Sequence, residues 1–246
     1  MIGFFDSGLG GLTVVRRVRA LLPDHDLIFL ADQAHVPYGD RTDAELHTFL
    51  CENLSWLESR GCDLVAMACN TSCAVAQQLG WPPTRALVLD LIEAAAIAVR
   101  DAGFARVGVI ATHATVRSGA YTTTLGRHAP GVRVHEIAAP ELVPLVEAGL
   151  SDSDDAIRAV AQVCGELPDD LDAVILACTH FPYLDAHFAT SLGPNVARID
   201  PAVEQAGRTA AVVAARGLPS GRGTLTTHTN GDDRSALDRA VKLLLG

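Results

Sequence analysis

Leu64-Val65-Ala66-Met67-Ala68-Cys69-Asn70-Thr71 and Val174-Ile175-Leu176-Ala177-Cys178-Thr179-His180 are the two stretches that decide the fold. Each opens with a short, continuous apolar run, as a strand buried on both faces requires, and ends in a cysteine followed by polar residues. A second pair lies upstream. Ile2-Gly3-Phe4-Phe5-Asp6-Ser7-Gly8 is echoed by Val107-Gly108-Val109-Ile110-Ala111-Thr112-His113. Both pairs are offset by about 105 to 110 residues, as two repeated α/β units would be. Chance similarity among strands could produce one such pair. The coincidence of the cysteines favours duplication.

Working outward, further apolar runs occur at Leu27–Ala31, Leu87–Leu91, Val132–Ile137 and Val196–Ile199. Between the runs lie amphipathic stretches such as Thr13–Leu22, Ala44–Ser59, Thr115–Arg127 and Asp154–Glu166, which read as helices. Strands that alternate with helices imply parallel pairing through helical crossovers. The predicted fold is α/β, with two similar domains of mostly parallel sheet related by pseudo-symmetry and the active site at their interface. Residues 1–92 plus 206–246 form the first domain, with Asp6 and Cys69. Residues 93–205 form the second, with Glu147, Cys178 and His180. Glu93 to Arg100 carries the chain across, and the tail after about Pro201 reads as helical and returning to the first unit.

Composition narrows the function. Of 246 residues, 49% are apolar and 20% charged, with a net charge of −10. That balance speaks against nucleic acid as a partner, because phosphate binding needs a basic patch. A small anionic substrate needs only a few local donors. No apolar run reaches the roughly eighteen residues of a membrane span. The start, Met1-Ile2-Gly3-Phe4, lacks the basic region of a signal peptide, so the cytoplasm is expected. The six cysteines then read as free thiols. Lys242 is the single lysine, and Gly-Lys occurs nowhere. A pyridoxal enzyme needs a Schiff-base lysine in its site, and a P-loop needs its Gly-Lys, so neither class fits.

Cys69 and Cys178 each stand just past the carboxyl end of a strand, the edge at which open parallel sheets bind ligands. A helix beginning there would offer N–H groups that favour a thiolate or a bound carboxylate. The plain alternative is a small buried hydrophobe, and Cys51, Cys62, Cys73 and Cys164 are assigned to it. Asp6 and Ser7 end the first strand and open a glycine-rich turn, Gly8-Leu9-Gly10-Gly11, that allows close backbone approach to a ligand. Asp6 could equally be a helix cap. Pro37-Tyr38-Gly39 reads as a turn after the second strand. His180, two residues past Cys178, could be its proton partner. Glu147 reads on its own as a solvated helix end.

Taken in order, Phe5-Asp6-Ser7-Gly8-Leu9-Gly10-Gly11, Val36-Pro37-Tyr38-Gly39, Ala68-Cys69-Asn70-Thr71, Ala114-Thr115 through Tyr121, Pro144 through Gly149 and Ala177-Cys178-Thr179-His180 resemble the glutamate racemases of the aspartate/glutamate racemase superfamily. The resemblance covers nearly the whole chain. It implies a cofactor-independent racemase that interconverts L- and D-glutamate between two thiols, with no metal, and supplies D-glutamate for peptidoglycan. Cys69 and Cys178 become the acid/base groups. Asp6 assists Cys69, while Glu147 and His180 assist Cys178. Asp6, Ser7, Pro37, Tyr38, Gly39, Asn70, Thr71, Thr115, Thr179 and His180 hold the substrate. A homodimer is one assembly the resemblance allows. Two places depart from the usual pattern. Ala31-Asp32-Gln33 stands where Gly-Asp-Thr is common, and Ile92-Glu93-Ala94-Ala95 where Glu-Pro-Gly is common. The first bears on the pocket wall, the second on where the crossing helix begins.

Other readings stay open at this point. They are racemisation of another amino acid such as aspartate, a Cys178–His180 hydrolase, and a non-catalytic binding module. The hydrolase leaves Cys69 unexplained, and neighbours two apart usually point different ways.

Overall fold

The computed structural model describes residues 1–245. The chain begins β1 (Ile2–Asp6), α1 (Leu12–Leu21), β2 (Leu27–Ala31), α2 (Asp43–Ser59), β3 (Leu64–Met67), α3 (Asn70–Leu79), β4 (Leu87–Leu89) and α4 (Leu91–Ala102). It continues β5 (Arg106–Ala111), α5 (His113–Ser118), α6 (Ala120–His128), β6 (Arg133–Ala138), α7 (Leu142–Glu147), α8 (Asp154–Gly165) and β7 (Ala173–Ala177). It closes with α9 (Asp185–Leu192), β8 (Ala197–Ile199), α10 (Pro201–Arg216), β9 (Leu225–Thr229) and α11 (Arg234–Leu245).

These strands form two sheets, ordered β4-β3-β1-β2-β9 and β6-β5-β7-β8. Every neighbouring pair is parallel. Read from the opposite edge, the second sheet is β8-β7-β5-β6, which repeats β4-β3-β1-β2 strand for strand. The pseudo-symmetry is therefore one of topology. Ile2 pairs with Leu64, and Val107 with Ala173, so Asp6 corresponds to Ala111, Ser7 to Thr112 and Cys69 to Cys178. β1, β2 and β7 are buried along their whole length, which accounts for their unbroken apolar runs. Phe4, Phe5, Phe29, Leu46 and Leu50 fill the core of the first sheet. Phe181, Phe188, Leu142 and Val160 gather in a second cluster beside β7.

The helix ends follow local chemistry. Thr42 and Glu45 form a reciprocal capping box at the start of α2. Asp90 caps α4 through the Ile92 N–H at 2.8 Å, so with no Pro-Gly in the way the crossing helix begins at Leu91. Three sequence expectations need correction. The helix expected over Thr115–Arg127 is two, because Gly119 adopts a left-handed φ of +63° and ends α5. The tail is not all helix, since β9 adds a fifth strand beside β2. α10 packs on both α1 and α4. No α-helix opens directly after Cys178. A short 3-10 turn, Phe181–Leu184, precedes α9. Among the described residues, no helix is long and apolar enough to cross a membrane.

Candidate active site

Asp6 is the last residue of β1 and is fully buried. Its Oδ2 accepts the Gly11 N–H at 2.6 Å. A Cβ on Gly11 would stand 2.5 Å from the Asp6 Cβ, so the chain can fold back over the carboxylate only with glycine there. Burial lifts the Asp6 carboxyl above its usual range, against the opposing pull of His180 and of the Gly11 and Ser7 N–H groups.

One strand away, Cys69 follows β3 and caps α3 from an extended backbone. It is 3% exposed. Burial, with the nearby Asp6 carboxylate, pushes its thiol up to about 12, while the Ser7 and Ser72 N–H groups act the other way. The resting state of Cys69 is therefore the thiol.

Cys178 occupies the matching place after β7 and has different neighbours. The counterpart of Asp6 is Ala111, which carries no carboxylate. Instead His180 Nδ1 lies 3.6 Å from the Cys178 Sγ, and His180 Nε2 lies 2.5 Å from Glu147 Oε1. The two residues meet because His180 takes a helical backbone conformation (φ −80°, ψ −29°), which curls the chain back on itself. The sequence argument that neighbours two apart point away is wrong here. Burial alone would lower the His180 pKa, but the hydrogen bonds and charges of Cys178 and Glu147 carry it well above its ordinary value. Burial would likewise raise Glu147, but its hydrogen bond to His180 and the Leu9 N–H hold it below the usual glutamate range. Both findings describe an imidazolium clasped by a carboxylate.

One cavity of about 310 Å³ receives all of these groups. Asp6, Ser7, Pro37, Tyr38, Gly39, Cys69, Asn70, Thr71, Glu147, Cys178, Thr179 and His180 line it. Thr115 does not. It lies fully buried behind the wall, its hydroxyl 3.3 Å from that of Thr71 and 3.0 Å from that of Thr112. Thr112 itself is on the wall. It was missed, although the repeat pairs it with Ser7. Val36, Pro140, Val143 and Pro144 add apolar surface, and Asp40 adds a carboxylate. Within Ala31-Asp32-Gln33 the Asp shared with the usual pattern is a scaffold. Asp32 is fully buried and accepts hydrogen bonds from Tyr38, His35, Asn53 and Asn230. The Tyr38 hydroxyl thus gives its proton to Asp32 in the wall of the cavity. Gln33 lies outside the lining. No lining residue is Lys or Arg. An anionic ligand would be held by N–H and O–H donors, chiefly at the start of α3. Among the described residues, no cluster of three His, Cys, Asp or Glu side chains has the arrangement of a metal site.

This geometry has close relatives. The Asp/Glu/Hydantoin racemase family matches residues 12–216. A glutamate racemase of Desulforudis audaxviator is 44% identical over 203 residues, which is 82% of this chain and 74% of that protein. A crystal structure of glutamate racemase from Thermus thermophilus, in complex with β-chloro-D-alanine, is 38% identical with a TM-score of 0.83, covering 97% of this chain and 91% of that one. Another, from Francisella tularensis with D-glutamate, is 26% identical with a TM-score of 0.89, covering 100% and 93%. The chain belongs to the Asp/Glu/Hydantoin racemase family and is an amino-acid racemase.

Proposed function

We propose that the chain interconverts L- and D-glutamate without a cofactor, by passing protons between Cys69, Cys178 and opposite faces of the α-carbon. The observation that carries this reading is two cysteines, at equivalent strand ends of two repeated units, lining one cavity. The relatives' names supply glutamate as the substrate.

In the direction from L-glutamate, Cys178 as thiolate takes the α-proton. An S–H bond forms, the C–H bond breaks, and its electron pair spreads into the α-carboxylate. The Cys69 thiol then gives its proton to the other face. Afterwards Cys178 holds a proton and Cys69 lacks one. Asp6 serves Cys69, since a carboxyl lifted by burial can hold a proton. His180, clasped by Glu147, serves Cys178. The α-proton is a very weak acid, so the cavity must stabilise the developing charge through fixed donors in a water-poor setting. Asn70, Thr71 and Thr179 are the donors of this scheme, with Thr115 acting from behind Thr71.

The same reading divides the chain into residues 1–92 with 206–246 and residues 93–205, which close on the substrate. It assigns the product to peptidoglycan supply and the enzyme to the cytoplasm, and it allows a homodimer as one assembly.

The test is direct. The purified chain, with no cofactor added, is incubated with L-glutamate in deuterium oxide beside a parallel sample of L-aspartate. D-Glutamate carrying deuterium at the α-carbon is the expected product. Unlabelled D-glutamate at early times would rule out thiols that exchange with solvent. Faster turnover of aspartate would move the substrate assignment.

A further inference from the structure

We infer that Tyr121 is a positioning residue for substrate recognition, its hydroxyl holding the Asn70 side chain so that the amide N–H₂ is offered to a substrate carboxylate. The inference rests on the proposed reading of the cavity as a glutamate site. Asn70 is the first residue of α3, directly after Cys69, and Tyr121 belongs to α6, beyond the crossing helix. The Tyr121 hydroxyl donates to Asn70 Oδ1 at 2.6 Å, and both side chains are buried. Asn70 lines the cavity, yet its Nδ2 is buried with no hydrogen-bond partner. A buried N–H₂ left unsatisfied is costly, and beside an open cavity a ligand acceptor is its natural partner.

An amide has one accepting and one donating arm, and nothing in its shape decides which faces inward. Tyr121 decides it. Its proton needs an acceptor, and burial keeps that proton on. If the amide turned over, the Tyr121 proton would lose its acceptor and Oδ1 would confront the substrate carboxylate. Both changes are unfavourable, so the hydroxyl fixes which arm of the amide accepts and leaves the donating arm, buried without a partner at the cavity wall, for the substrate. Thr71, the next residue, is tied in the same way to Thr112 at 3.0 Å. The helix start that bears Cys69 is thereby registered against the second unit.

The experiment compares wild type, Tyr121→Phe, Asn70→Ala, the double variant and Asn70→Asp in steady-state racemisation of D-glutamate, with melting curves for each. In Tyr121→Phe the KM should rise about five- to tenfold, as loss of one orienting hydrogen bond implies, with the loss falling mainly on KM rather than kcat. In the Asn70→Ala background the same change should alter KM less than about twofold, because nothing remains to orient. Asn70→Asp should bind glutamate worse than Asn70→Ala, since it keeps the Tyr121 bond and turns an oxygen on the substrate. A KM unchanged by Tyr121→Phe, an equal effect in both backgrounds, or better binding by Asn70→Asp than by Asn70→Ala would overturn the inference. A wild type that does not racemise glutamate would instead overturn the functional reading, and the inference with it.

Discussion

Cys69 and Cys178 reach the cavity by the same route and are handled by different chemistry. Cys69 is a thiol beside a buried carboxyl, whereas Cys178 faces an imidazolium. Each would abstract from one enantiomer, Cys178 from L and Cys69 from D. A serine hydroxyl is far too weak an acid to replace either thiol, so Cys69→Ser and Cys178→Ser should each lose racemisation by at least about a hundredfold. Elimination from an analogue with a leaving group on the β-carbon needs only one abstraction. Cys178→Ser should therefore still eliminate from the D form, and Cys69→Ser from the L form. Cys51→Ser and Cys164→Ser, which lie partly buried on α2 and α8 outside the cavity, should stay near wild type. Full racemase activity in either active-site variant would refute the two-thiol scheme, and elimination from the same enantiomer by both would reverse the faces. The thiol pair and Asp6 were legible because the buried runs stop on them. Glu147 was not legible from the residues, since Leu142–Glu147 reads like any solvated helix end and only resemblance singled it out. Tyr121 was invisible because its bond crosses between the units, and no local period carries that information.

At the scale of elements, the glycine turn between β1 and α1 is where the first unit touches the second. A Cβ on Gly10 would stand 2.6 Å from Thr179 Oγ1, 2.9 Å from the Thr179 carbonyl carbon and 3.0 Å from the His180 nitrogen. Two of those atoms are backbone and cannot swing aside. Gly10→Ala should therefore push the Thr179–His180 segment away from the turn, costing about 1–3 kcal/mol of stability and lowering kcat/KM in both directions. Gly126 is the control. It lies within α6 with nothing within 4 Å of a Cβ, so Gly126→Ala should stabilise by about 0.5–1 kcal/mol without touching activity. Thermal melting with kinetics decides between these outcomes, and a Gly10→Ala enzyme as stable and active as wild type would show the contact to be loose. Strands that are buried on both faces announced themselves in the sequence. β9 did not, because Leu225-Thr226-Thr227-His228-Thr229 is a sheet edge with one aliphatic residue and no fully buried position. Nor did the break between α5 and α6, since an amphipathic pattern runs on through Gly119 and only the left-handed backbone there reveals the stop.

Across the whole molecule, two sheets share the order of four strands and differ at one pair of strand ends that bears on the thiols, Asp6 against Ala111. In the second unit the carboxylate comes from a distance, from Glu147 on α7. That carboxylate also lies against the glycine turn of the first unit, where a Cβ on Gly8 would stand 2.9 Å from Glu147 Oε1, so it meets both halves as well as clasping His180. Its contribution to stability must then depend on pH in a defined way. Glu147 is held below its usual value, so its part is present above the unfolded carboxyl pKa of about 4.3 and is lost as pH falls through the lower folded value. His180 is held well above its usual value, so its part is complete below the unfolded imidazole pKa of about 6.5 and is lost as pH rises through the higher folded value. Both parts are complete only between those two reference values. Glu147→Gln keeps the shape and removes the charge. The gap in melting temperature between wild type and Glu147→Gln should be widest from about pH 4.3 to 6.5, shrinking below that window and again above it. His180 in the variant should also titrate at lower pH than in wild type, because the carboxylate that sustained its proton is gone. Melting curves across pH, with the His180 ring followed by NMR, test both statements. A gap that stays constant with pH, or a His180 titration that does not move, would mean that Glu147 acts through packing and hydrogen bonding alone, and the charge clasp behind Cys178 would have to be abandoned.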